Sequence, residues 1–343
     1  MKVVSATDFT PTSKDIIALI SGGVDSAVTS LLLKRAGFNV LGVTMMLPGE
    51  SDAPAKAAKV AEKVGIAHAV IDVRAEFENL IIDGTRQAYM RGETPSPCVS
   101  CNRLFQFGAV WDFVRGETGV ENIATGHYAR IESGRLLRGA DRGRDQSYFL
   151  YGIPRERLDK VFFPCGGRTK DEIRQIAREI DLEVSERADS MELCFTSDYR
   201  DLIPPEEPGD ILSVDGTVMG VHKGISFYTV GQRRGIGIAA PEPYYVLAVN
   251  PTDNTVTIGS REEAYRNEVS VKRVNFLGDV EVGKVYGGKI RSGGEPKPCR
   301  IVELDGDDMT VRFDAPVFAP AAGQHCVLYE DDAVMCGGEI VLK

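Results

Sequence analysis

No run in this chain approaches the ~18 apolar residues that a membrane-spanning helix needs. Residues 1–14 are polar and lack the apolar centre of a secretory signal. These two absences predict a cytoplasmic protein with no membrane partner. Internal repeats and low-complexity tracts are missing too, which sets aside solenoids. Positive charge is in short supply: 40 Lys and Arg stand against 50 Asp and Glu, a net charge of −10. That argues against a generally basic, nucleic-acid-coating surface, although net charge says little about a local patch. Cysteine is present in an unexpected amount. Seven in a cytosolic chain of 343 residues point to thiol chemistry or a metal rather than a disulfide scaffold.

A hydrophobic content of 43% is ample for two or three domains. In the first half, strand patterns at 16–20, 38–45, 68–73 and 121–125 alternate with helical ones at 27–33, 53–64, 76–90 and 102–114. This alternation predicts an α/β domain, a parallel sheet with helices on both faces. A hairpin is expected over 128–141, turning at Ser133-Gly134, and a helix over 170–180. Pro204-Pro205-Glu206-Glu207-Pro208-Gly209 reads as a linker. Beyond it, short strands and Gly or Pro turns predict a small mostly β domain and a C-terminal β-barrel. The expected boundaries are 1–200, 201–262 and 263–343.

Ser21-Gly22-Gly23-Val24-Asp25-Ser26 follows the apolar run ending in Leu19-Ile20 and precedes a helix. Glycines let a backbone turn bring its N–H groups onto a phosphate, and the helix N-terminus adds partial positive charge. The loop lacks the Gly-Lys-Ser/Thr ending of a γ-phosphate-transferring loop. It resembles the pyrophosphate loop of the ATP pyrophosphatases, which split ATP between its α- and β-phosphates. Ligands on such sheets bind at the carboxyl ends of strands, so the Gly126-His127 turn is expected beside this loop.

Cys98-Val99-Ser100-Cys101 follows Thr94-Pro95-Ser96-Pro97, whose prolines impose an extended approach. The thiols then fall near a helix N-terminus, where the dipole is expected to lower a thiol's pKa. Cys194, in Ser190-Met191-Glu192-Leu193-Cys194-Phe195, is a third candidate. Two loop thiols and one distant thiol suit persulfide chemistry, and three thiolates also suit an iron–sulfur cluster with one iron open. Cys165, Cys299, Cys326 and Cys336 read as structural. His127 reads equally as a general base or as a satisfied structural histidine. Arg130, Arg135, Arg138, Arg142 and Arg144 read as a patch for RNA phosphates or as a solvated hairpin. Gly231-Gln232-Arg233-Arg234-Gly235 is a charged turn or a backbone-contacting loop.

Taken in order and spacing, these motifs resemble the tRNA-specific 2-thiouridylases (the MnmA/TrmU family) over nearly the whole chain. The match runs through Asp145-Gln146-Ser147-Tyr148-Phe149-Leu150, Tyr228-Thr229-Val230-Gly231-Gln232-Arg233-Arg234-Gly235, Gly323-Gln324 and Gly337-Gly338. The resemblance implies a sulfurtransferase that adenylates the wobble uridine of tRNA with ATP and Mg²⁺ and replaces the oxygen at position 2 with sulfur. It implies that Leu19, Ile20, Ser21, Gly22, Gly23, Val24, Asp25, Ser26, Met45 and Gly126 bind ATP. Cys194 then carries a persulfide, and Cys101 is the partner nucleophile. Ser96, Pro97 and Cys98 touch the target base. His127, Arg144, Asp145, Gln146, Arg291, Ser292 and Gln324 occupy tRNA-contacting positions. The sulfur donor is a sulfur-carrier protein, a cysteine desulfurase or sulfide.

Several positions depart from the family's pattern. Cys98 stands where many members carry Asp, which turns the balance toward a [4Fe-4S] cluster on Cys98, Cys101 and Cys194. Ser96 replaces a usual Asn, Met191 a usual Gln, and Ser292 an aromatic. Two rival readings are an amide-forming ATP pyrophosphatase and a non-catalytic RNA-binding or redox protein. The paired thiols and the β-rich half count against the first, and the intact loop against the second.

Overall fold

The buried run Ile16-Ile17-Ala18, with no exposed surface, makes strand β2 (Asp15–Leu19) the centre of its sheet. A computed structural model describes residues 1–49, 52–179 and 194–342. The first sheet also holds β1 (Lys2–Ala6), β3 (Asn39–Met46), β4 (Ala67–Asp72), β5 (Ile123–Ala124) and β8 (Val161–Phe162). Their order is β1-β4-β3-β2-β5-β8. β2 runs parallel to β3 and β5, and β3 parallel to β4. The exposed edge strand β1 pairs antiparallel with β4. The polar residues 1–14 gave no sign of it, because an exposed edge strand has no buried face to impose alternation. Helices α1 (Val24–Arg35), α2 (Ala53–Val64) and α3 (Lys170–Glu179) share one core, in which Val28, Ala57 and Ile173 lie against Ile20, Tyr128 and Cys165. The expected hairpin forms from β6 (Ala129–Glu132) and β7 (Arg135–Arg138), with Ser133 and Gly134 both at positive φ.

The chain divides into two units, and not in linear order. One comprises Met1–Ile81, Cys98–Phe195 and Asp332–Val334; the other comprises Ile82–Pro97, Thr196–Asp331 and Met335–Lys343. The second unit contains a four-stranded sheet of β9 (Gly209–Leu212), β10 (Val218–His222), β11 (Tyr245–Asn250) and β12 (Thr255–Gly259). It also contains the larger share of a closed six-stranded barrel. The barrel strands are β13 (Tyr265–Phe276), β14 (Val285–Lys289), β15 (Lys297–Asp305), β16 (Asp308–Phe318), β17 (His325–Glu330) and β18 (Ala333–Val341). Pairing of β13 with both β16 and β18 closes the ring and leaves no free edge within it. Among the described residues no helix is long and apolar enough to cross a membrane.

Candidate functional site

The loop after β2 is shaped by its glycines. Gly22 has φ +77, and a Cβ there would stand 2.7 Å from Lys56 Cβ on α2. Gly23 caps α1 with no side-chain hydrogen bond, so its first-turn N–H groups are not consumed by a cap. Ser26 braces the turn: its hydroxyl donates to Gly23 O (3.0 Å) and accepts from Ser21 N (3.2 Å). Gly126 lies against this turn, where a Cβ would come 2.9 Å from the Asp25 carbonyl carbon. The two strand ends expected to meet therefore do.

The structure adds a residue that sequence reading missed. Lys170 Nζ sits 2.8 and 2.9 Å from the two carboxylate oxygens of Asp25. Lys170 is only 5% exposed. Tyr128 donates its hydroxyl to Asp25 Oδ1 at 2.9 Å. Burial and the nearby carboxylate push this phenol well above its usual range, so it stays a proton donor. Lys170 is held in place by a capping box. Thr169 N donates to Glu172 Oε2 (2.7 Å), and Glu172 N returns a bond to Thr169 Oγ1 (3.3 Å). The signal was legible as Thr169-Lys170-Asp171-Glu172, an S/T-x-x-E pattern that puts Lys170 on the first helical turn. Cys165 packs beneath the loop, 3.3 Å from Thr29 Oγ1, and burial pushes its thiol up to about 12.

The second centre of the same unit is the helix over residues 97–118. It begins at Pro97, winds wider than an α-helix over Cys101–Val110 and bends at Gly108. Gln106 Nε2 donates to Cys101 Sγ at 3.6 Å. The expectation of a lowered thiol pKa is overturned. Burial pushes Cys101 up to about 12, and the neighbouring Cys194 and Cys98 add to the rise. Cys98 is raised as well, again by burial, although it reaches solvent. The helix dipole does not offset desolvation of a thiolate here.

Cys194 is exposed, and Phe195 anchors its segment. Phe77, 1% exposed, meets the edge of Phe105 at 5.1 Å and of Phe195 at 5.7 Å. Phe105 is one turn beyond Cys101, so this aromatic stack ties the Cys194 segment to the thiol helix. Residues 190–193, including Met191, lie outside the described residues. No group of three Cys, His, Asp or Glu side chains is placed to hold a metal ion among the described residues. Asn102, beside Cys101, is 4% exposed, and its Oδ1 has no hydrogen-bond partner among the described residues. His127 packs between Phe107 and Phe163, with Nδ1 2.7 Å from Thr125 Oγ1. Burial lowers it to about 4, so its imidazole is neutral at pH 7.

The expected tRNA-contacting residues are placed unevenly. Asp145, with 2% of its side chain exposed, accepts from Gly139 N, Ser147 N and Arg138 Nε within 3.1 Å. Gln146 Oε1 accepts from Tyr128 N. Both side chains are thus engaged in the turn itself. Arg130 and Arg142 both pair with Asp332. The arginine cluster is less basic than its sequence suggests. In the second unit, Arg291 donates to Ala319 O at 2.8 Å, and Ser292 is exposed beside it. Gln324 points its amide at the backbone of Thr94 and Pro95, with Nε2 2.9 Å from Thr94 O. Ser96 and Pro97 continue that segment.

Three family models cover the chain. Residues 14–198 match a tRNA methyl transferase HUP domain, 200–260 a tRNA methyl transferase PRC-barrel domain, and 266–340 an aminomethyltransferase β-barrel domain. A tRNA-specific 2-thiouridylase of Picosynechococcus sp. is 40% identical, covering 94% of this chain and 96% of its own. One from Rickettsia felis is 39% identical, covering 95% of this chain and 96% of its own. A solved 4-thiouridine synthetase, in complex with RNA and bound ATP, aligns at 19% identity with a TM-score of 0.37. That alignment covers 51% of this chain and 43% of the synthetase, too loosely to bear on function. The two near-full-length relatives, with the matched HUP domain, place this chain in the tRNA-specific 2-thiouridylase family.

Proposed function

We propose that this chain forms 2-thiouridine at the wobble position of tRNA, using ATP and leaving AMP and pyrophosphate. The observation that carries the reading is the coexistence, in one unit, of a pyrophosphate-type loop and two thiols, Cys101 and Cys194, whose segments meet through Phe77. Mg²⁺, when bound with ATP, would offset charge on the departing pyrophosphate. The loop amides and Lys170 neutralise the phosphates as pyrophosphate departs. Oxygen 2 of the uracil, having lost the proton on N3, bonds to the α-phosphorus as the bond to pyrophosphate breaks. Neutral His127, Gly126 and Cys98 border the base and adenosine.

Sulfur then arrives as a persulfide on Cys194, loaded by a sulfur-donor protein or from sulfide and an oxidant. Its outer sulfur bonds to carbon 2, and AMP leaves with the oxygen. The Cys101 thiolate attacks the inner sulfur of Cys194, closing a Cys101–Cys194 disulfide and freeing the thiocarbonyl. A thiol reductant reopens the disulfide. Cys98, Cys101 and Cys194 are the residues that would hold an iron–sulfur cluster, and no step is routed through one. Arg144 and Arg291 are the side chains proposed for tRNA phosphates.

Incubation with ATP, unmodified tRNA and a persulfide donor, followed by nucleoside mass analysis, tests the reading. The expected products are 2-thiouridine, AMP and pyrophosphate. ADP and phosphate, or tRNA without added sulfur, would overturn it.

A further inference from the structure

The segment that leads into the thiol helix is gripped at several points, all within the second unit. Ser226 Oγ donates to Tyr89 O at 3.0 Å. Gly92, at φ +71, lies where a Cβ would come 2.8 Å from Val249 Cγ1 of β11. The tightest grip comes from the barrel. Thr94 N donates to Ala322 O at 2.7 Å, and Gln324 Nε2 reaches back to Thr94 O at 2.9 Å and Pro95 O at 3.3 Å. Gly323, at φ +82, permits this approach, because a Cβ there would lie 3.0 Å from Glu93 Cβ and 3.1 Å from Thr94 N. Gln324 is itself fixed by backbone bonds, Gln324 N to Ala321 O and Ile340 N to Gln324 O.

Two carbonyl oxygens face one side-chain amide, so that amide must present its NH₂ group to them. Pro95 has no N–H and can offer only its carbonyl to such a brace. Three residues beyond Pro95 comes Cys98, and six beyond comes Cys101, with the helix starting at Pro97. A helix that begins on a fixed proline transmits the position of its first turn to the thiols on it.

We propose that Gln324 is a positioning residue for sulfur transfer. It holds the Thr94-Pro95 backbone, sets the start of the thiol helix and so fixes where Cys101 is presented; the inference rests on the reading of Cys101 as a sulfur-transfer residue. A pure tRNA contact predicts a different phenotype. Loss of a contact raises the tRNA dissociation constant, whereas loss of the brace slows the chemical step in tRNA-saturated enzyme.

The test uses the full-length protein with Gln324→Met, which keeps shape and removes the donor, and with Gln324→Ala. Expected is a fall of about tenfold or more in single-turnover thiolation at saturating tRNA, with tRNA affinity changed less than about twofold. Amide exchange at Thr94, Ser96 and Cys98 should quicken in both variants. Weakened tRNA binding with an intact rate at saturation would overturn the proposal and make Gln324 a tRNA contact. Unchanged exchange and rate would overturn it as well. A separate Cys101→Ser control distinguishes the two layers. Full thiolation by Cys101→Ser would sink the reading of Cys101, while amide exchange in Gln324→Met would still decide whether the brace exists.

Discussion

At the loop after β2, Asp25 already holds Lys170 and Tyr128, and Ser26 already closes the turn. At the thiol helix, Cys101 is held protonated by burial, Cys194 is exposed, and Asn102 Oδ1 lacks a partner among the described residues. Both centres lie in one unit. The difference follows from what each must bind. A triphosphate brings strong negative charge, and a site that meets it must have its donors in place beforehand. A thiolate standing ready in water is open to oxidation, so a thiol kept neutral until its substrate arrives is protected. One centre is organised for charge that arrives, the other for charge that forms late.

The largest expected effect separates the two centres outright. Cys194→Ser and Cys101→Ser should each give no 2-thiouridine, yet keep tRNA-dependent formation of AMP or pyrophosphate exchange within roughly threefold. Product analysis and exchange on the same preparations read both. Parallel loss of exchange would mean that the thiols also build the nucleotide site. Cys98→Ala should retain thiolation. Loss of activity together with bound iron in anaerobically prepared Cys98→Ala would restore the cluster reading.

The converse variant is Lys170→Met. Removing one resident positive group from a charged transition state costs about 10²–10³ in rate. ATP–pyrophosphate exchange should fall by that amount. Affinity for AMP, which lacks the pyrophosphate, should stay within about threefold. Lys170→Arg keeps the charge but replaces a point ammonium with a planar fork, so it should recover only part of the loss. Equal weakening of AMP and ATP would instead assign Lys170 to supporting the fold of the loop.

The same contrast governs what was legible in the sequence. The loop could be read because its chemistry is contiguous: strand, two glycines, Asp25 and helix fall within one short run. Lys170 escaped because its partner lies 145 residues away in sequence, although Thr169-Lys170-Asp171-Glu172 signalled the cap that holds it. At the thiol helix, residue types were legible and environments were not. The position of Cys101 suggested a lowered pKa, but a helix-dipole rule carries no information on how deeply the side chain is buried. The aromatic link through Phe77 joins three distant positions and left no local pattern. The exchange of residues 82–97 into the β-rich unit is likewise a tertiary fact, since periodicity along residues 76–90 marks a helix but not its neighbours.

A smaller effect tests the late-forming charge. With Cys101 pushed up to about 12, its thiolate fraction is small at pH 7 and grows with pH. Iodoacetamide modification of Cys101 should therefore rise about tenfold per pH unit from 7 to 10 without a plateau. Cys165 serves as the internal control, because its thiol is raised equally but has no exposed surface. It should remain unmodified until the protein unfolds. A plateau near pH 8 for Cys101, read by peptide mass analysis, would show an already activated thiol and remove the contrast.

The smallest effect concerns Arg144, which lies at the nucleotide end. It acts electrostatically on Tyr128, the phenol that donates to Asp25. If Arg144 serves tRNA phosphate, Arg144→Ala should weaken tRNA binding a few-fold at moderate salt. It should also reduce the slope of log affinity against log salt by about 1. ATP affinity in the absence of tRNA should not move, because Lys170 and the loop amides remain. Arg291→Ala, in the other unit, should lower the salt slope by a similar amount and leave pyrophosphate exchange untouched. A change in ATP affinity with an unchanged salt slope would instead place Arg144 in the prebuilt nucleotide centre, making that centre larger than Asp25, Tyr128 and Lys170 alone.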